Sequence, residues 1–366
     1  MSDYGLISDE NPGAPRDLNS LIRQSIELIR YARGLAVRHI NLIELMTNFA
    51  LGKWIVEEQQ NGRDRARYGD HVIEQLSEVL AEEFGRGFSR ETLKNFRRFY
   101  LEYRDRISQT LFADFAVEKS QTLFTQFADH PPFTLSWSHY LQLMRIKDAK
   151  ERMFYEIEAT RGTWSIRTLQ RQYNASLYER LALSRDKTRV MKLSTEGNTV
   201  AVPEDIVKQP TVLEFLGLEE RSAYSETDLE TAIIDKLQKF LLELGKGYLF
   251  EARQKRFSFD EDDFYVDLVF YNRLLRCYVL IDLKIDKLTH QDLGQMQMYV
   301  HYYDRYVKLQ DENPTIGILL CKEKNDALVE ITLPENSNIF ASKYELYLPD
   351  KKLLRKKLKE WLAEEE

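Results

Sequence analysis

Cysteine is nearly absent from this chain. Only Cys277 and Cys321 occur in 366 residues, and no Cys-x-x-Cys pair exists. That argues against a disulfide-stapled fold and a cysteine-rich zinc site, and it points to a reducing cytoplasm. Cys277 heads an apolar run and Cys321 ends one, the places of buried thiols rather than nucleophiles. No apolar run approaches the ~20 residues that span a bilayer, so no membrane partner is expected. The opening residues, MSDYGLISDENPGAPRD, are acidic and polar, unlike a secretory signal. The six His show no metal-ligand spacing, and no Lys-Ser/Thr follows Gly85 and Gly87 to make a phosphate loop. Internal repeats and low-complexity tracts are also missing. The net charge of -7 argues against coating nucleic acid with the whole surface, while leaving room for a local basic patch.

What is present divides the chain in two. Residues 1 to about 17 read as a tail. From 18 to 183 apolar residues recur at three and four, as in Leu21, Ile22, Ile26, Ile29 or Leu42, Leu45, Met46, Phe49. This predicts an all-α N-terminal domain. Residues 184–224, with Pro203 and Pro210 and a short helix near Val212–Leu216, read as a linker. From 225 to 366 the pattern changes to an α/β domain. It predicts one helix over Leu229–Leu244, strands over Tyr248–Phe259, Phe264–Tyr271 and Arg276–Ile285, and a turn at Asn272-Arg273. A helix over Gln291–Tyr306 and strands over Thr315–Cys321 and Tyr344–Leu348 follow, giving a mixed α-β-β-β-α-β sheet.

Charges inside the apolar strands carry the chemistry. Asp267 interrupts the second strand, and Asp282 and Lys284 interrupt the third. Such side chains are costly to bury unless something pairs them. Side chains two apart share a strand face, so Asp282 and Lys284 point together while Leu283 turns away. By the same alternation Asp267 shares a face with Tyr265 and Val269, and Phe264, Val266, Leu268 and Phe270 take the other. Pairing of the two strands brings Asp267 towards Asp282. Two carboxylates that close suit a hard cation with open positions, Mg²⁺ or Mn²⁺. Lys284 is then placed to orient water or neutralise charge on a phosphate. The bland alternative is a structural ion-pair network in a dead fold. Asp286, Lys287 and Asp292 read as a solvated loop, and His290 as a surface residue.

These residues resemble the PD-(D/E)XK nuclease superfamily, through Val266-Asp267 and then Asp282-Leu283-Lys284. The resemblance implies metal binding by Asp267, Asp282 and the Leu283 carbonyl, with Glu230 on the preceding helix assisting. Gln295 and Tyr299 are similar to the Q-x-x-x-Y element of the RecB-like branch, which orients the core and contacts DNA. Over nearly the whole chain the sequence resembles the bacterial YhcG family. The matching segments include Tyr68-Gly69, residues 84–89 (FGRGFS), 135–140 (LSWSHY), 164–167 (WSIR), 240–247 (FLLELGKG) and 253–256 (RQKR). That family pairs a helical, winged-helix-like N-terminal domain with a C-terminal PD-(D/E)XK domain. Val266 stands in place of the eponymous Pro, and Asp282 is the shorter of the two permitted acids.

The resemblance implies DNA as substrate, with a role in restriction, defence, mobile elements, recombination or repair, and partner proteins from such systems. Two cuts on a duplex call for two sites, hence a homodimer. Two other readings stay open: a catalytically inactive DNA- or protein-binding subunit of a larger complex, and an RNase on the same fold.

The N-terminal domain offers a candidate reader of DNA. Residues 72–103 read helix–turn–helix, with Ser89 as N-cap and Leu93 and Phe96 facing inward. Arg90, Lys94, Arg97 and Arg98 then share a face able to meet phosphates or the major groove. An ordinary solvated face paired with Glu91 or Glu102 is an equal reading. His139, Trp137, Trp164, Tyr155 and Tyr173 read as structural, and the charged terminal helix from Lys351 as solvated.

Overall fold

The computed structural model describes residues 40–58, 66–107, 131–185, 187–218, 224–334 and 336–363. The expected tail and the helix around Leu21–Ile29 lie outside them. The chain forms two compact units, Met1–Arg145 and Ile146–Glu366. Among the described residues no helix is long and apolar enough to cross a membrane.

In the first unit the apolar spacing at three and four becomes helices: α1 (40–58), α2 (Ala66–Phe84), α3 (Arg90–Tyr103) and α4 (Trp137–Leu143). Gly85, at φ 87°, ends α2, a left-handed position that suits glycine. A 3₁₀ turn over Arg86–Phe88 follows. Ser89 caps α3, its side chain accepting from the Thr92 N–H. Phe99 is fully buried among aromatic rings, with centroids at 4.8 Å (Phe133), 5.2 Å (Trp137) and 5.3 Å (Tyr140). The described residues of this unit contain no strand, so no wing hairpin is found among them.

The second unit opens with helices α5 (Ala149–Arg161), α6 (Ile166–Asn174), α7 (Leu177–Leu183) and α8 (Lys187–Glu196). Residues 146–183, expected with the N-terminal helices, fall in the sheet's own compact unit. Buried charge ties them there: Arg180 on α7 and Glu243 are both fully buried and 2.5 Å apart. The stretch expected as a linker carries α8, a short strand β1 (Thr211–Val212) and a 3₁₀ turn at Glu214–Leu216.

Two helices, α9 (Glu226–Asp235) and α10 (Leu237–Leu244), stand where one was expected. Lys236 separates them at φ -118°, ψ 29°, its ammonium reaching the Leu216 carbonyl at 2.7 Å. Strands β2 (Tyr248–Phe259), β3 (Asp262–Asn272) and β4 (Cys277–Lys287) form an antiparallel meander. Asp260 and Glu261, both at positive φ, make the tight turn that matches the twist of the β2–β3 hairpin. Helix α11 (His290–Tyr302) runs on into a π-helical turn at Tyr303–Val307, so helical backbone covers the expected span to Tyr306. Then come β5 (Ile316–Glu323), α12 (Asp326–Thr332), β6 (Ile339–Glu345) and α13 (Lys351–Ala363). The last strand lies earlier than the expected Tyr344–Leu348. Its inward residues Ile339, Ala341 and Tyr344 are interleaved with Ser342 and Lys343, which dilutes the apolar signal.

The sheet order is β1-β6-β5-β4-β3-β2, parallel from β1 to β4 and antiparallel beyond. One face packs Leu268, Phe270, Val279, Ile281 and Leu283 against α9 and α10. The other packs Val266, Val269, Leu280 and Leu319 against α11. A Cβ at Gly317 on β5 would meet Met296 Sδ at 2.6 Å, so glycine is what lets α11 lie this close.

Both thiols are buried, as expected. Burial pushes Cys277 up to about 12 and Cys321 up to about 11, which leaves them inert as nucleophiles.

Candidate active site

The site forms where two paired strands part. The β3–β4 ladder runs from Asn272↔Cys277 to Leu268↔Ile281 and stops. One more step would pair Asp267 with Asp282. Instead the Leu283 N–H turns inward and donates to Asp267 Oδ2 at 2.8 Å. The freed backbone donor is thus satisfied by a carboxylate rather than by the ladder.

The expected alternation holds on β4 and slips on β3. Leu283 is buried against α9 and α10, opposite Asp282 and Lys284. On β3, however, Val266 and Val269 lie in the α11 layer while Leu268 and Phe270 lie in the other. The face therefore changes at Asp267. Its opposite number on β2, Gln254, is left-handed at φ 46°, and the Gln254–Asp267 pair is skipped in the register. A local kink of this kind re-aims a side chain, as bulges do.

Asp282 is 3% exposed. Burial, then the nearby Asp267 carboxylate, pushes it up to about 7, against the pull of Lys284. The Lys284 ammonium sits 2.9 Å from Asp282 Oδ2, an ion-pair distance, yet that oxygen receives no well-aligned hydrogen bond. Burial works against the charge on Lys284, but Asp282 outweighs it and holds the ammonium above its ordinary range. Asp292 lies 4.0 Å from the same ammonium. Asp292 is not a solvated loop residue; its carboxylate caps α11 by accepting from the Thr289 N–H at 2.8 Å.

The two acids on α9 that face the site have different neighbours. Glu230 is buried and bonded to Arg253 and, at 2.6 Å, to Gln254. Glu226, one turn earlier, stands 3.9 Å from Lys284 and is the α9 acid nearest to it. Burial raises the Glu226 carboxyl, opposed by Lys284 and helped by Asp267. Its sequence signal was only its i, i+4 relation to Glu230 on one helical face.

Gln295 and Tyr299 pack beneath β3. The Tyr299 hydroxyl accepts from Gln295 Nε2 and donates to the Tyr265 carbonyl at 2.9 Å, two residues from Asp267. Burial, reinforced by Asp282, pushes the phenol up to about 12, so it stays a donor. Tyr299→Phe orphans the Tyr265 carbonyl. It is expected to lose about 1–2 kcal/mol in a urea melt and to lower activity without abolishing it.

The donor set fits a hard divalent cation. It offers carboxylate oxygens at Asp267 and Asp282, and Asp282 Oδ2 is buried without an aligned hydrogen bond. Among the described residues no group of three or more His, Cys, Asp or Glu side chains is arranged to hold a metal ion.

On α3, Leu93 and Phe96 face inward as expected. Arg90 is paired with Glu74, and Arg98 donates to the Met144 carbonyl. Those two guanidiniums are engaged by the unit's own fold, while Lys94 is exposed and Arg97 partly so. His139 accepts or donates at 2.7 Å to Ser136, a structural role as expected.

Residues 204–359 match the YhcG PDDEXK nuclease domain, and residues 24–180 the DUF1016 N-terminal domain. The YhcG protein of Escherichia coli (strain K12) is 38% identical over 344 residues, covering 91% of each chain. Two solved structures overlap 36% of this chain. One is a repair endonuclease from Pyrococcus abyssi, at 16% identity, 50% of that chain and TM-score 0.23. The other is an EndoMS–dsDNA2 complex, at 18% identity, 48% of that chain and TM-score 0.24. On the identity to the Escherichia coli relative and the matched nuclease domain, the protein belongs to the YhcG family of PDDEXK nucleases.

Proposed function

We propose that this chain is a cytoplasmic, divalent-cation-dependent DNA endonuclease that hydrolyses phosphodiesters at the fork between β3 and β4. The observation that carries this reading is the approach of Asp267 and Asp282 where the ladder opens, close enough that Asp267 raises the Asp282 carboxyl. Asp267, Asp282 and the Leu283 carbonyl would hold Mg²⁺ or Mn²⁺. Glu230, which shares the Gln254 amide with Asp267, is the α9 acid expected to assist, and Glu226, beside Lys284, is a second candidate. When bound, the cation supplies positive charge to the scissile phosphate and acidifies the attacking water.

The protein's own groups do the rest. Leu283 N–H fixes Asp267, and Tyr299 with Gln295 fixes the strand that carries it. Lys284, held among Asp282, Glu226 and Asp292, is the ammonium beside the pair and would neutralise a phosphate oxygen as negative charge grows there. In the first unit, the exposed Lys94 and the adjacent Arg97 are placed to meet phosphates and hold the duplex. A double-strand cut would need two copies. Restriction, defence, recombination or repair is the proposed setting for such an activity.

A second reading has its own support. Lys284 closes the Asp282 ion pair, as in a non-cleaving subunit that only binds DNA or protein. Supercoiled plasmid, branched DNA and RNA of matched length, each with Mg²⁺ or Mn²⁺, separate the readings. The endonuclease nicks DNA, and Lys284→Ala does not. Retention in a gel shift without nicking under either metal supports the binding subunit, and cutting of RNA alone reassigns the substrate.

A further inference from the structure

We propose that Gln254 is a positioning residue that sets how tightly the Asp267–Asp282 pair holds a divalent cation. This rests on the endonuclease reading above and adds a residue to it. Gln254 lies on β2 between Arg253, which pairs with Leu268, and Lys255, which pairs with Val266. It is itself left-handed at φ 46°, a conformation that a residue with a side chain adopts only when its surroundings enforce it. The β2 register also shifts between Phe250 and Ala252, and the Gln254–Asp267 pair is missing from the ladder.

The left-handed backbone at Gln254 goes with one amide meeting two acids. Gln254 Nε2 donates to Asp267 Oδ1 at 2.9 Å and to Glu230 Oε2 at 2.6 Å. An NH₂ group has two hydrogens, and both are used. Leu283 N–H holds the other Asp267 oxygen, so both are fixed and the carboxylate cannot rotate without breaking a hydrogen bond. Glu230 is neutralised on its far side by Arg253, which is also bound at 3.0 Å to Thr231 Oγ1. The chain Arg253–Glu230–Gln254–Asp267 thus couples helix α9 to the aim of one ligand. Two neighbouring carboxylates that would repel are bridged by a neutral donor. Groups that orient metal-binding carboxylates commonly carry 10–100-fold of the metal affinity.

The test measures Mn²⁺ binding to the full chain by electron paramagnetic resonance, alongside cleavage and metal-free melting. Gln254→Met keeps the length and removes the donor. Gln254→Glu keeps the shape and replaces donor with acceptor. Gln254→Gly removes the side chain while accepting the left-handed backbone. All three are expected to weaken Mn²⁺ binding about 10–100-fold. In Gln254→Met, cleavage should fall at limiting metal and recover to within about threefold of wild type at saturating metal. Mn²⁺ affinity within about twofold of wild type in Gln254→Gly and Gln254→Met, with only the melting temperature lowered, overturns the proposal and makes Gln254 structural. If the wild type cuts DNA in that case, only the Gln254 assignment falls. A wild type that binds Mn²⁺ normally but never cuts overturns the endonuclease reading instead, and the affinity comparison still decides Gln254.

Discussion

Asp282→Asn is expected to yield a protein that no longer cuts, by at least about 10²-fold, yet is more stable than the wild type without metal. Asp282 is 3% exposed, close to Asp267, and its carboxyl is pushed up to about 7 from an ordinary 3.8. A carboxyl whose folded value is raised gives stability that is fully present below its unfolded value. That stability is lost as pH rises through the folded value. Metal-free wild type should therefore weaken between about pH 4 and pH 7, by a few kcal/mol at most. Asparagine keeps the shape and carries no charge, so the variant's stability should change much less over that window. Melting curves in chelator at several pH values check this. Parallel pH profiles for the two proteins would mean that Asp282 is not the strained group.

Glu243→Ala should cost the second unit about 3–5 kcal/mol, the range for breaking a buried pair from one side. Glu243 and Arg180 are both fully buried, 2.5 Å apart. Glu243 also receives Arg171 at 3.4 Å and the Val212 N–H at 3.1 Å, while its carbonyl accepts from Lys208. Burial alone would raise its carboxyl, but Arg180 and Lys208 overcome that and hold it down at about 2. Alanine leaves Arg180 charged, buried and without this partner. Glu243 joins α7 and β1 to the end of α10, so the loss should appear as a lower urea midpoint for the whole unit. Glu243→Gln, which keeps hydrogen bonding, should fall between the two. A loss below about 1 kcal/mol for Glu243→Ala would show that the cluster is dispensable.

The parts legible in the sequence were those with local causes. The antiparallel meander followed from alternating apolar residues and a marked turn at Asn272-Arg273. The shared face of Asp282 and Lys284 followed from strand parity, and Ser89 followed from capping chemistry. The parts that were hidden have distant causes. The break at Lys236 depends on the Leu216 carbonyl, twenty residues away. The change of face at Asp267 depends on the kink at Gln254 across the hairpin, which no pattern within β3 reveals. Glu230 and Glu226 lie one turn apart on α9, so periodicity could not choose between them. Arg253 and Gln254, on another strand, engage Glu230 and leave Glu226 nearer Lys284. The short strand β1 has two residues, too few for any alternation to show. The Arg90–Lys94–Arg97–Arg98 face was readable as a stripe, but not that Glu74 and the Met144 carbonyl take two of its members.

Asp267 and Asp282 are proposed to hold one divalent cation together, and the proposed nuclease activity depends on it. A crystal grown with Mn²⁺ and measured at the manganese edge tests it most directly. One anomalous peak is expected at the β3–β4 fork, within about 2.0–2.6 Å of an oxygen from each carboxylate, with Lys284 turned away from Asp282. No peak at saturating Mn²⁺, with Lys284 still 2.9 Å from Asp282 Oδ2, would contradict it.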